Sequence, residues 1–225
     1  DLYSKDRADQ YKLPTLNPTF AITKFLMGKL GHYSEGIAIG LKYGFDSGHS
    51  LDKVYLNKAK GFGKLGQWLD QNYLNSIGWR GIRQRKQHML ELLTKYTSDS
   101  GHENNKLYSI LDIACGRGHY LLEFLQNKPE AKAQLRDYGS KNLDFVSTKA
   151  DELGLSQQVD CQQRDAFAAD SYLQEGEFDI AISSGLFELV NNNEAISVAL
   201  KGIAHQLKSG GIYIYTNQAW HPQQE

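Results

Sequence analysis

No run of about 18 apolar residues occurs in this chain, so the sequence offers no helix that could span a bilayer. An excess of one charge sign is also missing. Lys and Arg number 25 against 26 Asp and Glu, a formal net charge of -1, so no bulk attraction to nucleic acid or an anionic surface is expected. Cysteine is scarce. Cys115 and Cys161 are read as lying on neighbouring core strands, and a reduced, cytoplasmic setting is expected rather than a disulfide scaffold. The first residues carry no signal-peptide pattern. No spacing of His, Cys and Asp resembles a zinc or iron site, so no metal is expected. Repeats and low-complexity segments are absent.

What is present has two textures. The 225 residues are enough for a full core and one or two domains. Residues 1–97 read as helical and irregular, a cap or substrate region. Residues 98–105 (SDSGHENN) form a polar linker. From Lys106 to Glu225, strands and helices alternate. Strands are expected at Tyr108–Ala114, Ala133–Asp137, Gln158–Gln163, Phe178–Ser183 and Ile212–Asn217. Helices are expected at His119–Gln126, Lys141–Leu153, Ala166–Leu173 and Asn193–Leu207, the second capped by Ser140 and stopped by Gly154. Apolar strands between helices predict an α/β fold, a doubly wound, mostly parallel Rossmann-like sheet with its ligand at the carboxyl ends of the strands.

The first strand runs into LDIACGRGHYLLEFL (Leu111–Leu125), a strand, a small-residue turn and a helix whose first N–H groups face a ligand. Three cofactor classes use such a turn. A P-loop needs GxxxxGK followed by Ser or Thr, which is absent. A dinucleotide site needs GxGxxG; Gly116 and Gly118 supply two glycines, but Leu121 holds the third position, which weighs against an NAD-type oxidoreductase. The third class takes S-adenosyl-L-methionine, whose ammonium, ribose and adenine each need a partner. Asp112 closes the first strand, where it can reach the ammonium. Ala114, Gly116 and Gly118 leave room for the ligand against the backbone. Asp137, followed by Tyr138, ends the second strand and can accept from the ribose hydroxyls. Asp165, Ala166 and Phe167 follow the third strand and suit the adenine. Ser183 and Ser184 end the fourth, where the methyl would sit. Each acid alone has an ordinary reading as a solvated strand end, a turn residue or an N-cap.

These residues carry a resemblance. LDIACGRG resembles motif I of the class I S-adenosylmethionine-dependent methyltransferases, with Ala114 where many members have glycine. GFDSGHSLDKVY (Gly44–Tyr55), YLNSIGWRGIRQRK (Tyr73–Lys86), LRDYG (Leu135–Gly139), SSGLFEL (Ser183–Leu189) and YTNQAWHPQQE (Tyr215–Glu225) resemble a family of bacterial methyltransferases often fused to an α/β-hydrolase. The resemblance implies methyl transfer to an acceptor it does not identify; a small molecule or lipid-like compound is expected. Because the superfamily sheet has seven strands and only five are read here, the natural protein is expected to continue beyond Glu225 and, with its start at Asp1, to be longer. A non-catalytic, methyltransferase-like accessory to a fused hydrolase is the other reading.

Candidates near the methyl are Glu188, His221 and Tyr120. A helix-start acid, a structural loop and simple packing are their ordinary alternatives. Cys115 is read as a small buried hydrophobe. Asp46, Ser47 and Gly48 read as a turn, with Ser50 capping the next helix. The basic run Arg80–Lys86 reads as a solvated helix face in preference to a nucleic-acid contact.

Overall fold

The computed structural model describes residues 25, 27–45, 47–98 and 106–217. The chain forms two compact units, Asp1–Arg80 and Gly81–Glu225, and their boundary falls within one long helix.

In the first unit a 3-10 turn (Gly31–Tyr33) leads into α1 (Glu35–Tyr43), α2 (Gly48–Leu56) and α3 (Gly63–Leu74). Ser34 caps α1 by accepting from the Ile37 N–H, and Ser47 caps α2 by accepting from Ser50 N–H. The α2 cap is therefore Ser47, not Ser50. The Ser50 hydroxyl instead donates to the Gly44 carbonyl. Asp46 lies outside the described residues.

A buried carboxylate ties this unit together. Asp70 on α3 accepts from the Ser34 hydroxyl at 2.7 Å, from Gly36 N–H at 2.7 Å and from Lys60 N–H at 2.8 Å, and pairs with Lys53 Nζ at 3.0 Å. Lys53 also bonds Glu35 and the Lys58 carbonyl. Burial raises the Asp70 pKa, but these donors outweigh it and hold the group below its ordinary value. The cluster is structural: its partners all come from within the unit.

In the second unit, α4 (Ile77–Ser98, from Gly81 on) precedes β1 (Tyr108–Ile113), α5 (His119–Gln126), β2 (Ala131–Asp137), α6 (Ser140–Glu152), β3 (Val159–Gln163), β4 (Phe178–Ser183), α7 (Asn193–Gln206) and β5 (Leu207–Tyr215). The five strands are all parallel, in the order β3-β2-β1-β4-β5. Alternation along β1 splits its side chains between two cores. Ile110 packs with Leu121, Leu125, Leu135, Val146 and Leu93 on one face. Leu111 and Ile113 pack with Phe178, Tyr172 and Ile203 on the other. Both faces are covered, as the near-continuous apolar strands required. The chain winds outward through β2 and β3, then returns past β1 to β4. The strand order reverses between β1 and β4, the place where such sheets bind ligands.

Several local readings need correction, and β5 starts at Leu207, ahead of the expected Ile212. The expected helix Ala166–Leu173 is only a 3-10 turn at Ala169–Tyr172. Asp165 Oδ1 takes the Phe167 N–H, while the Ser171 and Tyr172 hydroxyls donate to the carbonyls of Asp165 and Ala166. These side chains compete with a helical ladder. Gly139, not Ser140, is the N-cap of α6, though Gly154 does follow its end with φ +73°. β1 ends at Ile113, because Ala114 already turns to φ +55°. The cysteines are not on neighbouring strands. Cys115 follows β1, Cys161 lies in β3, and β2 runs between them.

Candidate active site at the carboxyl ends of the strands

The turn after β1 is built from left-handed residues: Ala114 at φ +55°, Gly116 at +57° and Gly118 at +60°. An L-residue in that region costs about 1–2 kcal/mol, so Ala114 holds a conformation that glycine adopts freely. A Cβ on Gly118 would lie 2.6 Å from Leu135 Cδ2, which fixes glycine where α5 approaches β2. A Cβ on Gly116 would meet nothing within 4 Å, so the turn leaves open space there. Gly118 begins α5 without a side-chain cap.

Asp112, at the end of β1, is fully buried. No hydrogen bond of ordinary geometry reaches either of its carboxylate oxygens among the described residues. Burial pushes its pKa up to about 7; the neighbouring Tyr120 hydroxyl acts to lower it and the Asp137 charge to raise it. Tyr120 is itself buried in the first turn of α5.

Asp137, at the end of β2, binds two loops at once. Its Oδ2 accepts from Gly116 N–H at 2.8 Å, and its Oδ1 accepts from Gly139 N–H at 2.8 Å and Asn142 Nδ2 at 3.0 Å. A carboxylate offers about four lone-pair sites, so roughly one remains, on Oδ2.

Beside these acids lies a cavity of about 290 Å³, lined by Ala114, Tyr138, Asp165, Ala166, Phe167 and Leu186 among others. Its far wall is the 165–172 loop, held by the hydroxyl bonds described above. The loop is further pinned by Arg136, whose Nη1 donates to the Ser171 carbonyl and to Gln206 Oε1, both at 2.8 Å. Tyr138 is 75% exposed, a flat ring at the cavity rim.

The fourth strand end is less uniform. Ser183 is buried, its hydroxyl bonded to that of Tyr213 on β5, so it braces the sheet. Ser184 is half-buried beside it. Gly185, at φ +78°, donates its N–H to Thr216 Oγ1 at 2.8 Å. Glu188 sits in a 3-10 turn (Phe187–Leu189) and pairs with Arg85 Nη1 at 3.4 Å. Trp220 and His221 lie outside the described residues.

Of the residues expected at the site, the structure brings Asp112, Ala114, Gly116, Gly118, Tyr120 and Asp137 together around one turn. Tyr138, Asp165, Ala166 and Phe167 share one cavity with Ala114. Arg85 was not singled out, because its basic run gave no local signal of a partner after β4. Both thiols are free, and burial raises their pKa values, Cys161 to about 11 and Cys115 well above its ordinary value, so neither is a ready nucleophile. Among the described residues no three His, Cys, Asp or Glu side chains cluster as a metal site, and no helix is long and apolar enough to cross a membrane.

A parallel sheet in the order β3-β2-β1-β4-β5, with a glycine turn and acids after β1 and β2, is the Rossmann-like arrangement of class I methyltransferases. The chain belongs, over residues 3–225, to the family described as "Putative methyltransferase". It is 39% identical to the Escherichia coli K12 protein YnbC, described as uncharacterized, over 97% of its own length and 39% of that protein's. It is 25% identical to the protein-lysine N-methyltransferase EFM4 of Saccharomyces cerevisiae over 48% of this chain and 50% of that one. The chain thus spans half or less of these curated relatives. Among solved structures, a possible exported protein from Bordetella parapertussis superposes with a TM-score of 0.58 at 15% identity, covering 72% of this chain and 51% of that one, a likeness of fold.

Proposed function

We propose that this chain binds S-adenosyl-L-methionine and transfers its methyl group to a small-molecule or lipid-like acceptor. The observation that carries the reading is Asp112. A fully buried carboxylate that no hydrogen bond of ordinary geometry completes among the described residues, with the Tyr120 hydroxyl beside it and open space at Gly116, is costly unless a cationic ligand group completes it. In this reading Asp112 receives the ammonium, with Tyr120 beside it. The remaining lone pair of Asp137 receives a ribose hydroxyl. The adenine enters the cavity, where Asp165 and the Ala166 N–H meet its polar edge and Tyr138 and Phe167 its faces. The cavity is near the lower end of the usual range for small-molecule clefts, roughly 300–1,000 Å³.

The cofactor supplies a methyl group already activated on a sulfonium. The protein then has mainly to orient an acceptor, which is worth about 7–11 kcal/mol of a barrier. Glu188 is the described residue best placed to meet that acceptor, and Leu186 and Phe187 beside it offer an apolar lining. The helical N-terminal region is proposed to select the acceptor, with His221 a candidate base. A fused α/β-hydrolase and a cytoplasmic location belong to the proposal through the sequence reading alone.

Calorimetric titration of the purified chain with S-adenosylhomocysteine and with NAD tests this. Saturable binding of S-adenosylhomocysteine with no response to NAD is expected. Tight binding of NAD alone would replace this reading with the oxidoreductase one, and an active-site titration without methyl incorporation into any acceptor would favour the accessory-domain reading.

A further inference from the structure

The strand-end turn at Gly185 is shaped around one side chain. A Cβ built on Gly185 would lie 3.0 Å from Arg85 Nη1 and 3.3 Å from Nη2, so the guanidinium lies against bare backbone after β4. Arg85 comes from α4 and reaches Glu188 Oε1 at 3.4 Å, with both side chains mostly shielded, 23% and 13% exposed. The other oxygen of that carboxylate, Glu188 Oε2, is buried without a hydrogen-bond partner among the described residues. Leu186, two residues earlier, lines the cavity that also touches Ala114 and Tyr138. All strands are parallel, so the Glu188 turn stands on the same side of the sheet as Asp112 and Asp137.

Resting on the methyltransferase reading, we propose that Arg85 is a positioning residue that aims Glu188, and that Glu188 Oε2 accepts a hydrogen bond from the N–H or O–H of the acceptor's nucleophile. The acceptor class is then an amine or an alcohol. A buried carboxylate oxygen is completed by an N–H or O–H donor. A thiol is a weak donor, and a carboxylate has no hydrogen to give and repels Glu188. Arg85 is needed because its bond to Oε1 fixes which way the other carboxylate oxygen faces. Its planar fork also fits the space over Gly185, where an ammonium would contact less of the strand end.

Matched small probes separate these chemistries: n-butylamine, benzylamine, n-butanol and benzyl alcohol against n-butanethiol and butyrate. Each is titrated by NMR into the intact chain saturated with S-adenosylhomocysteine. The amines and alcohols are expected to bind at least tenfold more tightly than the thiol and the acid. Glu188→Ala should abolish that preference, Arg85→Ala should cut it about tenfold, and Arg85→Lys should restore part of it. In all three variants S-adenosylhomocysteine affinity should stay near the wild type. Equal binding of all six probes, no binding by any, or an unchanged preference in Glu188→Ala would overturn the assignment while leaving the cofactor site standing. If S-adenosylhomocysteine itself fails to bind, both readings fall. A variant that melts early is replaced by Glu188→Gln, which keeps the shape and should still reduce the preference.

Discussion

Asp112→Asn should raise the melting temperature of the ligand-free chain at pH 8 and, in the same protein, weaken S-adenosylhomocysteine binding at least tenfold. The stability half follows from burial. The Asp112 carboxyl titrates near 7 in the folded chain, against about 3.9 when unfolded. The folded state therefore holds this proton more tightly, and the charge opposes folding increasingly as pH rises from about 4 to 7, then by a constant amount. Asparagine carries no such charge. The gain in melting temperature should be negligible near pH 4, grow through neutrality and level off above pH 8. The affinity half follows from the proposed ammonium contact. A hydrogen bond to a charged group contributes about 1.5–3 kcal/mol, or roughly 10–150-fold in binding. A site that keeps a destabilising carboxylate for its ligand shows such a trade of stability against function. Differential scanning calorimetry across pH, with calorimetric titration at pH 8, reads both halves. A variant less stable at pH 8 that still binds normally would mean that Asp112 is satisfied in some other way and does not face the ligand.

Asp137→Ala should remove detectable binding and also loosen the turn. Its carboxylate joins the glycine turn after β1 to the turn after β2 through Gly116, Gly139 and Asn142. Alanine strands two backbone N–H groups, for a loss of about 2–6 kcal/mol. In a protein of this size each kcal/mol lowers the melting temperature by roughly 2–4 °C. The binding loss should exceed the stability loss, because the loop that shapes the site and the proposed ribose acceptor disappear together. Titration well below the melting point separates the two. Asp137→Asn keeps one carbonyl acceptor and should lie between wild type and alanine in both measurements. Near-normal affinity in folded Asp137→Ala would remove this residue from the ribose site and leave it only the turn.

The parts of the site that were legible in the sequence are those a few residues wide. Asp112, Gly116, Gly118 and Asp137 each close a strand or make a turn, and the apolar runs beside them fix which end of the sheet they occupy. The alternation of apolar strands with helices gave the parallel sheet for the same reason: burial on both faces leaves a pattern that needs no tertiary information. Interactions between distant segments were not legible. Arg85 meets Glu188 across 103 positions, from a basic run whose local pattern is that of any solvated helix. Ser183 looked like a group facing the ligand, yet its hydroxyl is engaged by Tyr213 from β5. The helix expected at Ala166–Leu173 has adequate composition but loses to three side-chain bonds within the loop.

The central claim is that Asp112 and Asp137, at the carboxyl ends of β1 and β2, hold the ammonium and the ribose of one cofactor. A crystal structure of the chain with S-adenosylhomocysteine tests it most directly. The ligand's ammonium should lie within hydrogen-bond distance of Asp112, its ribose against Asp137, and its adenine in the cavity between Tyr138 and Phe167. S-adenosylhomocysteine bound elsewhere, or a nicotinamide dinucleotide in that cavity in its place, would contradict the account.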